Sequence, residues 1–460
     1  MVLLRRLSLL FLAAPLALHA AGLRVSEFTL DNGLRLLVQE DHRAPVAVTQ
    51  VWYRVGASYE HGGLTGISHM LEHMMFKGTE KHPPGDFSRI IAANGGSENA
   101  FTGQDYTAYF QTLEKNRLQV SFELEADRMR NLKLLPEEFV KEQQVVLEER
   151  RLRTDDQPRA KLAEQFDAVA YTNSPYKNPV IGWPDDVSNL TVADLAEWYG
   201  RWYAPNNATV VVVGDVEPQA VLKLAQKYFG PLKPSQLPQP KPRGEVEQLG
   251  PRRMTVRLPA KLPFLVLGYK TPVLKNAGEE WEPYALEVAA GILDGGNSAR
   301  LASRLVRGQQ IASAAGASYD LYARLPALFS LEGTPAQGKT LPALEKALLA
   351  EVRRLQEEPV TAEELDRVKA QVLASNVFER DSIFYQAMQL GLTETVGVGW
   401  KKVDEYVDKI NAVTPEQIQK VARKYLIDDR LSVAYLEPLP IPEGAKQPEE
   451  QTPMGGEHVR

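Results

Sequence analysis

Runs of apolar and β-branched residues predict strands near the start of each half of the chain. LRLLVQED (34–41) and VAVTQVWYRVGA (46–57) have this character, and FLVLGYKTP (264–272) repeats it in the second half. Longer stretches with helical periodicity follow these strands in both halves. The pattern therefore predicts an α+β fold in which sheets are covered by helices.

The two halves are also alike at their ends. Residues 190–218 and 413–438 each show a capped helix, a turn and an apolar strand, and the helical segments 135–149 and 360–374 form a second pair at a similar offset. Both end helices begin with a threonine followed three residues later by a residue that can bond back, which is the pattern of a capping box. We therefore expect a duplicated α+β unit with two domains of about 200 residues.

Composition shifts predict the domain boundaries. Residues 1–22 combine a basic pair, an apolar stretch and small residues at the end, which is typical of a secretory signal peptide and too short for a membrane anchor. Five prolines in the segment 230–250 indicate an extended linker. We expect an N-terminal domain at 23–232, a linker at 233–250, a C-terminal domain at 251–440 and a disordered tail at 441–460.

Charge and cysteine content exclude several classes of function. The chain has a formal net charge of -6 and no long run of Lys or Arg, which argues against nucleic-acid binding and against anionic membranes as partners. It has no cysteine, so disulfides, thiolate metal sites and a cysteine nucleophile are absent. A metal ion would have to be bound by histidine and carboxylate. An exported chain of this kind is expected in the periplasm of a Gram-negative bacterium.

The strongest candidate for chemistry is the segment GISHMLEHMMFKGT (66–79). His69 and His73 are four residues apart, so a helix presents both imidazoles on one face, and Glu72 lies beside them. H-x-x-E-H is the inverted form of the H-E-x-x-H zinc motif. A solvated helix face carrying two histidines by chance is the alternative interpretation.

A third ligand would have to be an acid. No histidine occurs between Pro83 and Glu457, and catalytic zinc sites with two histidines use a carboxylate. Glu142 and Glu149 lie two helical turns apart on a partly apolar face, where a cation would satisfy their charge. A solvated acidic face remains the alternative for this pair.

The quoted segments resemble the pitrilysin-like zinc metallopeptidases, the M16 or inverzincin family, which includes mitochondrial processing peptidase. VGASYEHGGLTGISHMLEHMMFKGT (55–79) is similar to the family's zinc signature, GGSENAFTGQDYTAYF (95–110) to its edge-strand motif, and RWYAPNNATVVVVGDV (201–216) to its domain-closing strand. The resemblance spans essentially the whole chain after the signal segment. It implies two domains, each a mainly antiparallel sheet covered by helices, which together form half of a clamshell.

The resemblance also implies a role for each matching residue. His69, His73 and Glu149 would bind one Zn²⁺, because the family's third ligand follows the second histidine by 76 residues. Glu72 would be the general base that takes a proton from water. Glu142 would orient a ligand from the second sphere of the metal. At the edge strand, Asn99 and Ala100 would bind an extended peptide substrate by main-chain hydrogen bonds, although an ordinary turn entering a buried strand is the alternative there.

The C-terminal half departs from the family pattern. Members that act without a different partner carry an Arg and, seven residues later, a Tyr that stabilise the oxyanion, but Val306 and Ser313 stand at those positions here. Arg304, Arg307 or Tyr319 would substitute only with a register shift. EVAAGILDGG (287–296) lies where a second zinc motif would be, so this half is expected to bind no metal.

The expected function is therefore that of a zinc endopeptidase acting on peptides or unfolded segments in an enclosed chamber. The missing pair predicts a heterodimer in which a paralogue without the zinc motif supplies Arg and Tyr, with a homodimer as the alternative. A non-catalytic scaffold or binding subunit is the competing function. The presence of Glu72 beside a complete ligand set argues against it.

Overall fold

The computed structural model describes residues 24–239, 241 and 243–442. The predicted signal peptide and all but the first two residues of the predicted tail lie outside these ranges. Within them, no helix is both long enough and apolar enough to cross a membrane.

The first sheet has six strands in the order β1-β2-β6-β3-β5-β4. Strands β2 and β6 pair in parallel, and the other neighbours are antiparallel. Strand β4 therefore lies at a free edge. The strands are β1 (Val25–Thr29), β2 (Arg35–Glu40), β3 (Val46–Tyr53), β4 (Ser97–Thr102), β5 (Thr107–Glu114) and β6 (Ala208–Gly214).

The second sheet has five strands in the order β7-β11-β8-β10-β9. Its one parallel pair, β7 with β11, occupies the position of β2 with β6, and β9 lies at the edge that β4 occupies in the first sheet. The predicted duplication is thus present in the strand order. The strands are β7 (Arg252–Pro259), β8 (Phe264–Thr271), β9 (Ala312–Ser318), β10 (Ala327–Pro335) and β11 (Leu431–Leu439).

The helices follow the same duplicated order along the chain. In the first half they are α1 (Ile67–Met74), α2 (Asp86–Ala93), α3 (Leu118–Asn131), α4 (Pro136–Arg150), α5 (Pro158–Ala170), α6 (Pro184–Asn189), α7 (Val192–Trp202) and α8 (Pro218–Tyr228). In the second half they are α9 (Trp281–Leu293), α10 (Leu341–Glu357), α11 (Ala362–Glu379), α12 (Ile383–Thr395), α13 (Lys402–Asn411) and α14 (Pro415–Tyr425). A π-helical turn, Arg151–Asp155, extends α4.

Both predicted capping boxes are confirmed. The Thr191 hydroxyl accepts a hydrogen bond from the backbone N–H of Asp194, and the Asp194 carboxylate accepts the backbone N–H of Thr191. Thr414 and Gln417 form the same pair of hydrogen bonds at the start of α14. Each box satisfies two N–H groups at the helix start that have no partner within the helix. The caps fix the helices α7 and α14, which lead into the two central strands β6 and β11.

The two halves exchange a helix. Helix α5 of the first half packs on the second sheet, where Leu162 and Phe166 join a core with Phe264 and Leu436. Helix α12 of the second half packs on the first sheet, on the face opposite α1 and α3. Each sheet is therefore buried on both faces only when the halves are together.

The approach of α12 to the first sheet is close. A Cβ atom added to Gly391 would lie 2.1 Å from Nε1 of Trp52, a fully buried side chain of β3. Such a separation is below any normal van der Waals contact, so only glycine fits here without a shift of the helix. Polar contacts between the halves add to this packing, and in one of them Arg324 Nε donates to Asp105 Oδ1 at 2.9 Å.

Glu245 anchors the proline-rich segment between the halves. The Glu245 carboxylate accepts the backbone N–H groups of Thr172, Asn173 and Ser174, and Lys270 Nζ of β8 lies 2.6 Å from it. Burial raises the pKa of Glu245, but the lysine and the backbone donors outweigh it and lower the pKa to about 2. Glu245 therefore joins a loop of the first half to the second sheet.

Candidate metal centre

Helix α1 carries the two predicted histidine ligands inside the first domain. His69 is 1% exposed and His73 is fully buried, and Met70, Leu71 and Met74 of the same helix belong to the core cluster beneath the first sheet. The helix is therefore held by its apolar residues while the two imidazoles face a common point. Their ring centroids lie 4.8 Å apart.

The start of α1 is set by a residue that the sequence patterns did not single out. The buried Glu60 carboxylate accepts the N–H of Gly66 at 2.7 Å and that of Ser68 at 2.8 Å. Gly66 has φ of +85°, a left-handed conformation that glycine adopts without strain. Burial raises the pKa of Glu60 to about 8 despite these backbone donors, so Glu60 fixes the position of α1 through its two hydrogen bonds and not through a full negative charge at the helix dipole.

Helix α1 ends before Gly78, although a glycine shortly after a helix is typical of a left-handed cap. The helix ends at Met74, and Met75 caps it in a right-handed conformation. Gly78 does have φ of +100°, in the turn that follows, where an added Cβ would lie 2.7 Å from the carbonyl oxygen of His82. The glycine is thus required by the next turn and not by the helix end.

The third predicted ligand comes from α4. Glu149 Oε2 lies 3.3 Å from His73 Nε2 and 3.8 Å from His69 Nε2. The three ligand atoms lie within 4.8 Å of one another. Ligand bonds of about 2.0–2.2 Å place tetrahedral ligand atoms about 3.3–3.6 Å apart, so the separation between Glu149 and His73 matches one zinc ion, and the longer separations would shorten when the ion binds.

Glu142 supports the second histidine. Its Oε2 lies 3.1 Å from His73 Nδ1, and its Oε1 lies 2.6 Å from Lys77 Nζ. A carboxylate at Nδ1 favours the tautomer that carries its proton there, which leaves Nε2 available for a metal ion. Burial raises the pKa of Glu142, but the contacts with His73 and Lys77 outweigh this effect and lower the pKa to about 2.

Glu149 is held on its other oxygen as well. Arg153 Nη1 lies 2.7 Å from Glu149 Oε1, while Oε2 faces the histidines. Burial raises the pKa of Glu149, and the two histidines and Arg153 more than offset this and lower it to about 2. The carboxylate is therefore ionised, as a zinc ligand must be.

Helix α4 is attached to the start of α1 by the buried Arg150. Its guanidinium donates to the Gly182 carbonyl at 2.8 Å and forms an ion pair with Glu164 at 2.7 Å. Gly182 packs directly on the loop before α1, since an added Cβ would lie 2.5 Å from the Thr65 carbonyl oxygen. Helix α4, which carries Glu149, and helix α1, which carries both histidines, are thus connected next to the candidate site.

Glu72 lies on the same helix as the histidines and is 1% exposed. Its Oε2 accepts a hydrogen bond of 2.6 Å from Thr102 Oγ1, the last residue of β4. The hydroxyl fixes one carboxylate oxygen of Glu72. Thr102 was not among the predicted site residues, because its partner is distant in sequence.

The predicted substrate-binding residues lie in β4, at the free edge of the first sheet. Asn99 is half-buried and Ala100 is buried, and the Ala100 N–H donates to the Asn99 side-chain oxygen at 2.9 Å. The structure thus offers an edge strand next to Glu72.

The residues considered for the oxyanion role all lie in the second half. Val306 packs against the second core, and the Ser313 hydroxyl donates to the Thr334 carbonyl at 3.3 Å. The three substitutes are engaged within the same half: Arg304 pairs with Glu351 at 2.9 Å, Arg307 donates to the Asn297 carbonyl at 2.5 Å, and Tyr319 donates to the Pro272 carbonyl at 2.6 Å.

Family models match both halves of the chain. Residues 35–183 match the insulinase family of peptidases, M16, and residues 189–372 match the M16 inactive domain. A zinc protease from Helicobacter pylori, PqqE, is 33% identical over 439 residues, covering 94% of this chain and 97% of its own length. An uncharacterized zinc protease of Mycobacterium leprae is 28% identical over 92% of this chain and 93% of its own.

Solved structures share the fold. A protease from Helicobacter pylori superposes with a TM-score of 0.85 at 32% identity, over 90% of this chain and 100% of that one. An M16 inactive domain from Pseudomonas fluorescens has a TM-score of 0.81 at 16% identity, over 91% of this chain and 100% of that one. The periplasmic protease PqqL of Escherichia coli has a TM-score of 0.76 at 20% identity, and the superposition covers 91% of this chain but 48% of PqqL.

The duplicated α+β architecture and the matches of both halves define the class: a two-domain M16-type peptidase fold. The chain belongs to peptidase family M16 and is a pitrilysin-like member of it. The expected family and fold are thus confirmed. Because the family includes domains described as inactive, membership alone does not assign catalytic activity to this chain.

Proposed function

We propose that the chain is the zinc-bearing subunit of an endopeptidase that hydrolyses peptides or unfolded protein segments. The observation that carries the proposal is the position of Glu72 beside His69, His73 and Glu149. A scaffold subunit has no physical need for a carboxylate at this place. The zinc-protease names of the relatives support the same function.

The ligand set fits zinc by its chemistry. Two imidazoles and one carboxylate are the donors of a catalytic His₂Glu site, which leaves a fourth position open. When bound, zinc supplies Lewis-acid polarisation of a peptide carbonyl and activation of water at neutral pH. In the proposal Glu142 and Arg153 position His73 and Glu149 as ligands.

The protein's own residues would perform the proton transfer and the positioning. Glu72, with one oxygen held by Thr102, accepts the proton from water and returns it to the leaving amine. An extended peptide pairs with the free edge of β4 at Asn99 and Ala100, so its carbonyl groups lie along the strand that ends next to Glu72. Main-chain pairing of this kind tolerates many substrate sequences.

A second subunit completes the site in this proposal. Val306 and Ser313 offer no charged or phenolic donor, and Arg304, Arg307 and Tyr319 have partners in their own half. Losing one oxyanion donor costs on the order of 10² to 10³ in rate. PqqL is about twice the length of this chain, and its first half alone matches this chain over 93% of that half, which supports an assembly of two such units. A periplasmic location, after removal of residues 1–22, is part of the same proposal.

The test is an assay of the purified chain alone and together with a paralogue that lacks H-x-x-E-H but carries the Arg and Tyr. We expect hydrolysis of a quenched peptide only by the mixture, its loss with a chelator, and its return with one equivalent of Zn²⁺ per chain. Full activity of the chain alone would refute the need for a paralogue. Chelator-resistant hydrolysis, or none in any mixture, would refute the zinc peptidase itself.

A further inference from the structure

An arginine of the second half reaches the turn between strands β4 and β5 of the first half. Arg324 lies in the connection between β9 and β10, which takes the same place in the second sheet as the β4–β5 turn takes in the first. Its Nε donates to Asp105 Oδ1 at 2.9 Å, and its backbone N–H donates to Asp105 Oδ2 at 3.1 Å. Asp105 belongs to the β4–β5 turn and is 3% exposed. The turn is thus held by a residue 219 positions away in the sequence.

The same guanidinium also holds the segment that leads into helix α1. Arg324 Nη2 donates to Ser58 Oγ at 2.7 Å, and Ser58 Oγ donates to Asp105 Oδ1 at 2.5 Å. The guanidinium also lies over the Tyr59 ring, with 4.5 Å between its carbon and the ring centroid. Arg324, Ser58 and Asp105 therefore form one network, the Arg324 network, which joins the second half to two segments of the first.

The Arg324 network lies next to the partner of the proposed base. Thr102, the last residue of β4, donates from Oγ1 to Glu72 Oε2 at 2.6 Å. Only two residues separate Thr102 from Asp105 along the chain. The backbone of β4 is paired with β5 as far as Thr102 and Thr107. A displaced turn would therefore move the Thr102 hydroxyl while the strand itself stays in the sheet.

We propose that Arg324 is a positioning residue for Glu72, which it orients through Asp105 and the Thr102 hydroxyl. The proposal rests on the proposed peptidase function and deepens it, because it makes the second half, which carries none of the proposed zinc ligands, part of the catalytic arrangement. A misplacement of about 1 Å in a catalytic group costs up to about 10²-fold in rate, so loss of these contacts should be visible in turnover.

The test is a double-mutant cycle of Arg324→Met and Thr102→Val on the zinc-loaded chain in its active assembly. Each substitution should lower kcat by about 10- to 100-fold and leave KM within about threefold, because β4 remains paired with β5. The double variant should be within about threefold of the slower single variant, since both substitutions act through one hydroxyl. Losses that multiply in the double variant, or a wild-type kcat in Arg324→Met, would overturn the proposal.

The matched control is Arg43→Met. Arg43 also crosses between the halves, with its Nη1 3.0 Å from Asp381 Oδ1. It precedes β3, whose other end at Tyr53 leads to the Arg324 network, so about 23 Å of strand separate the two contacts. The control should keep the wild-type kcat. A loss equal to that of Arg324→Met would reduce Arg324 to a general contact between the halves and overturn its positioning role.

Hydrogen exchange of the metal-free chain, followed by mass spectrometry, gives a readout without turnover. Exchange in peptides covering 57–60 and 102–106 should be at least about tenfold faster in Arg324→Met and unchanged in Arg43→Met. Unchanged exchange in Arg324→Met would overturn the proposal. If the wild type hydrolyses peptide and Arg324→Met equals it, the positioning role alone fails, whereas a wild type inactive in every assembly would refute both the peptidase and the positioning of its base.

Discussion

Glu142 offers a direct test of how the second sphere supports the metal ligands. The substitution Glu142→Gln keeps the size and shape of the side chain but removes its charge. His73 Nδ1 then faces a neutral amide instead of a carboxylate at 3.1 Å. Lys77 loses its partner too, but its side chain is 26% exposed and can turn towards water.

The expected magnitude follows from the changed hydrogen bond. A hydrogen bond to a charged group contributes about 1.5–3 kcal/mol and one between neutral groups about 0.5–1.5 kcal/mol, so the substitution costs about 1–2 kcal/mol. At about 1.4 kcal/mol per tenfold, zinc affinity should fall by about 5- to 30-fold, which overlaps the usual range for second-sphere ligand partners.

The assay is competition for Zn²⁺ with a chromophoric chelator at pH 7.5, with thermal unfolding of the metal-free form measured in parallel. The matched control is Glu148→Gln on the same helix, where the side chain is 55% exposed and pairs with Arg151. The control should bind zinc like the wild type. Equal zinc affinities of Glu142→Gln and wild type, or equal losses in both variants, would refute the role of Glu142.

Three further substitutions test other parts of the structure. Gly391→Ala should lower the free energy of unfolding by about 1–3 kcal/mol, because the added methyl group overpacks the contact with Trp52. The control Gly200→Ala lies in a helix with open space around it and should raise the free energy of unfolding by up to about 1 kcal/mol. Urea titration measures both, and equal effects would contradict the packing argument. Glu245 has a pKa lowered from 4.5 to about 2, so its contribution should be fully present above pH 4.5 and lost as the pH falls through 2. Glu245→Gln should therefore lower the free energy of unfolding by about 1–3 kcal/mol at pH 7 and by much less near pH 2.5. A loss that does not depend on pH, or an equal loss in the exposed control Glu247→Gln, would contradict the role of Glu245. Glu60→Gln turns one acceptor at the start of α1 into a donor and should weaken zinc binding several-fold as well as stability; wild-type zinc affinity in this variant would show that the cap does not position the ligands.

The sequence was sufficient for the features that depend on local pattern. The capping boxes at Thr191 and Thr414 are recognisable because partner residues lie three positions apart. The duplication was recognisable for the same reason, since each repeat places helices and strands in one order. His69, His73 and Glu149 converge in the structure. The family resemblance supplied the 76-residue spacing between His73 and Glu149, and hydrophobic periodicity alone would not have identified Glu149.

Contacts between distant segments could not be read from these patterns. The exchange of α5 and α12 between the halves depends on which sheet each helix packs against, and these contacts join residues far apart in the sequence. Thr102 meets Glu72 only through the packing of β4 beside α1. Glu60 could have been found only from its place shortly before the helix that carries the histidines. This signal is weak, because acidic residues are frequent in loops.

The central claim is that Glu72 acts as the base beside a bound zinc ion, and Glu72→Gln tests it most directly. Zinc content and peptide hydrolysis are measured on the same preparation, in the active assembly, for wild type and variant. The account predicts one Zn²⁺ per chain in both proteins and a loss of hydrolysis of at least about 10²-fold in the variant. Hydrolysis retained at the wild-type rate with zinc bound would contradict it, and so would absence of zinc from the wild type.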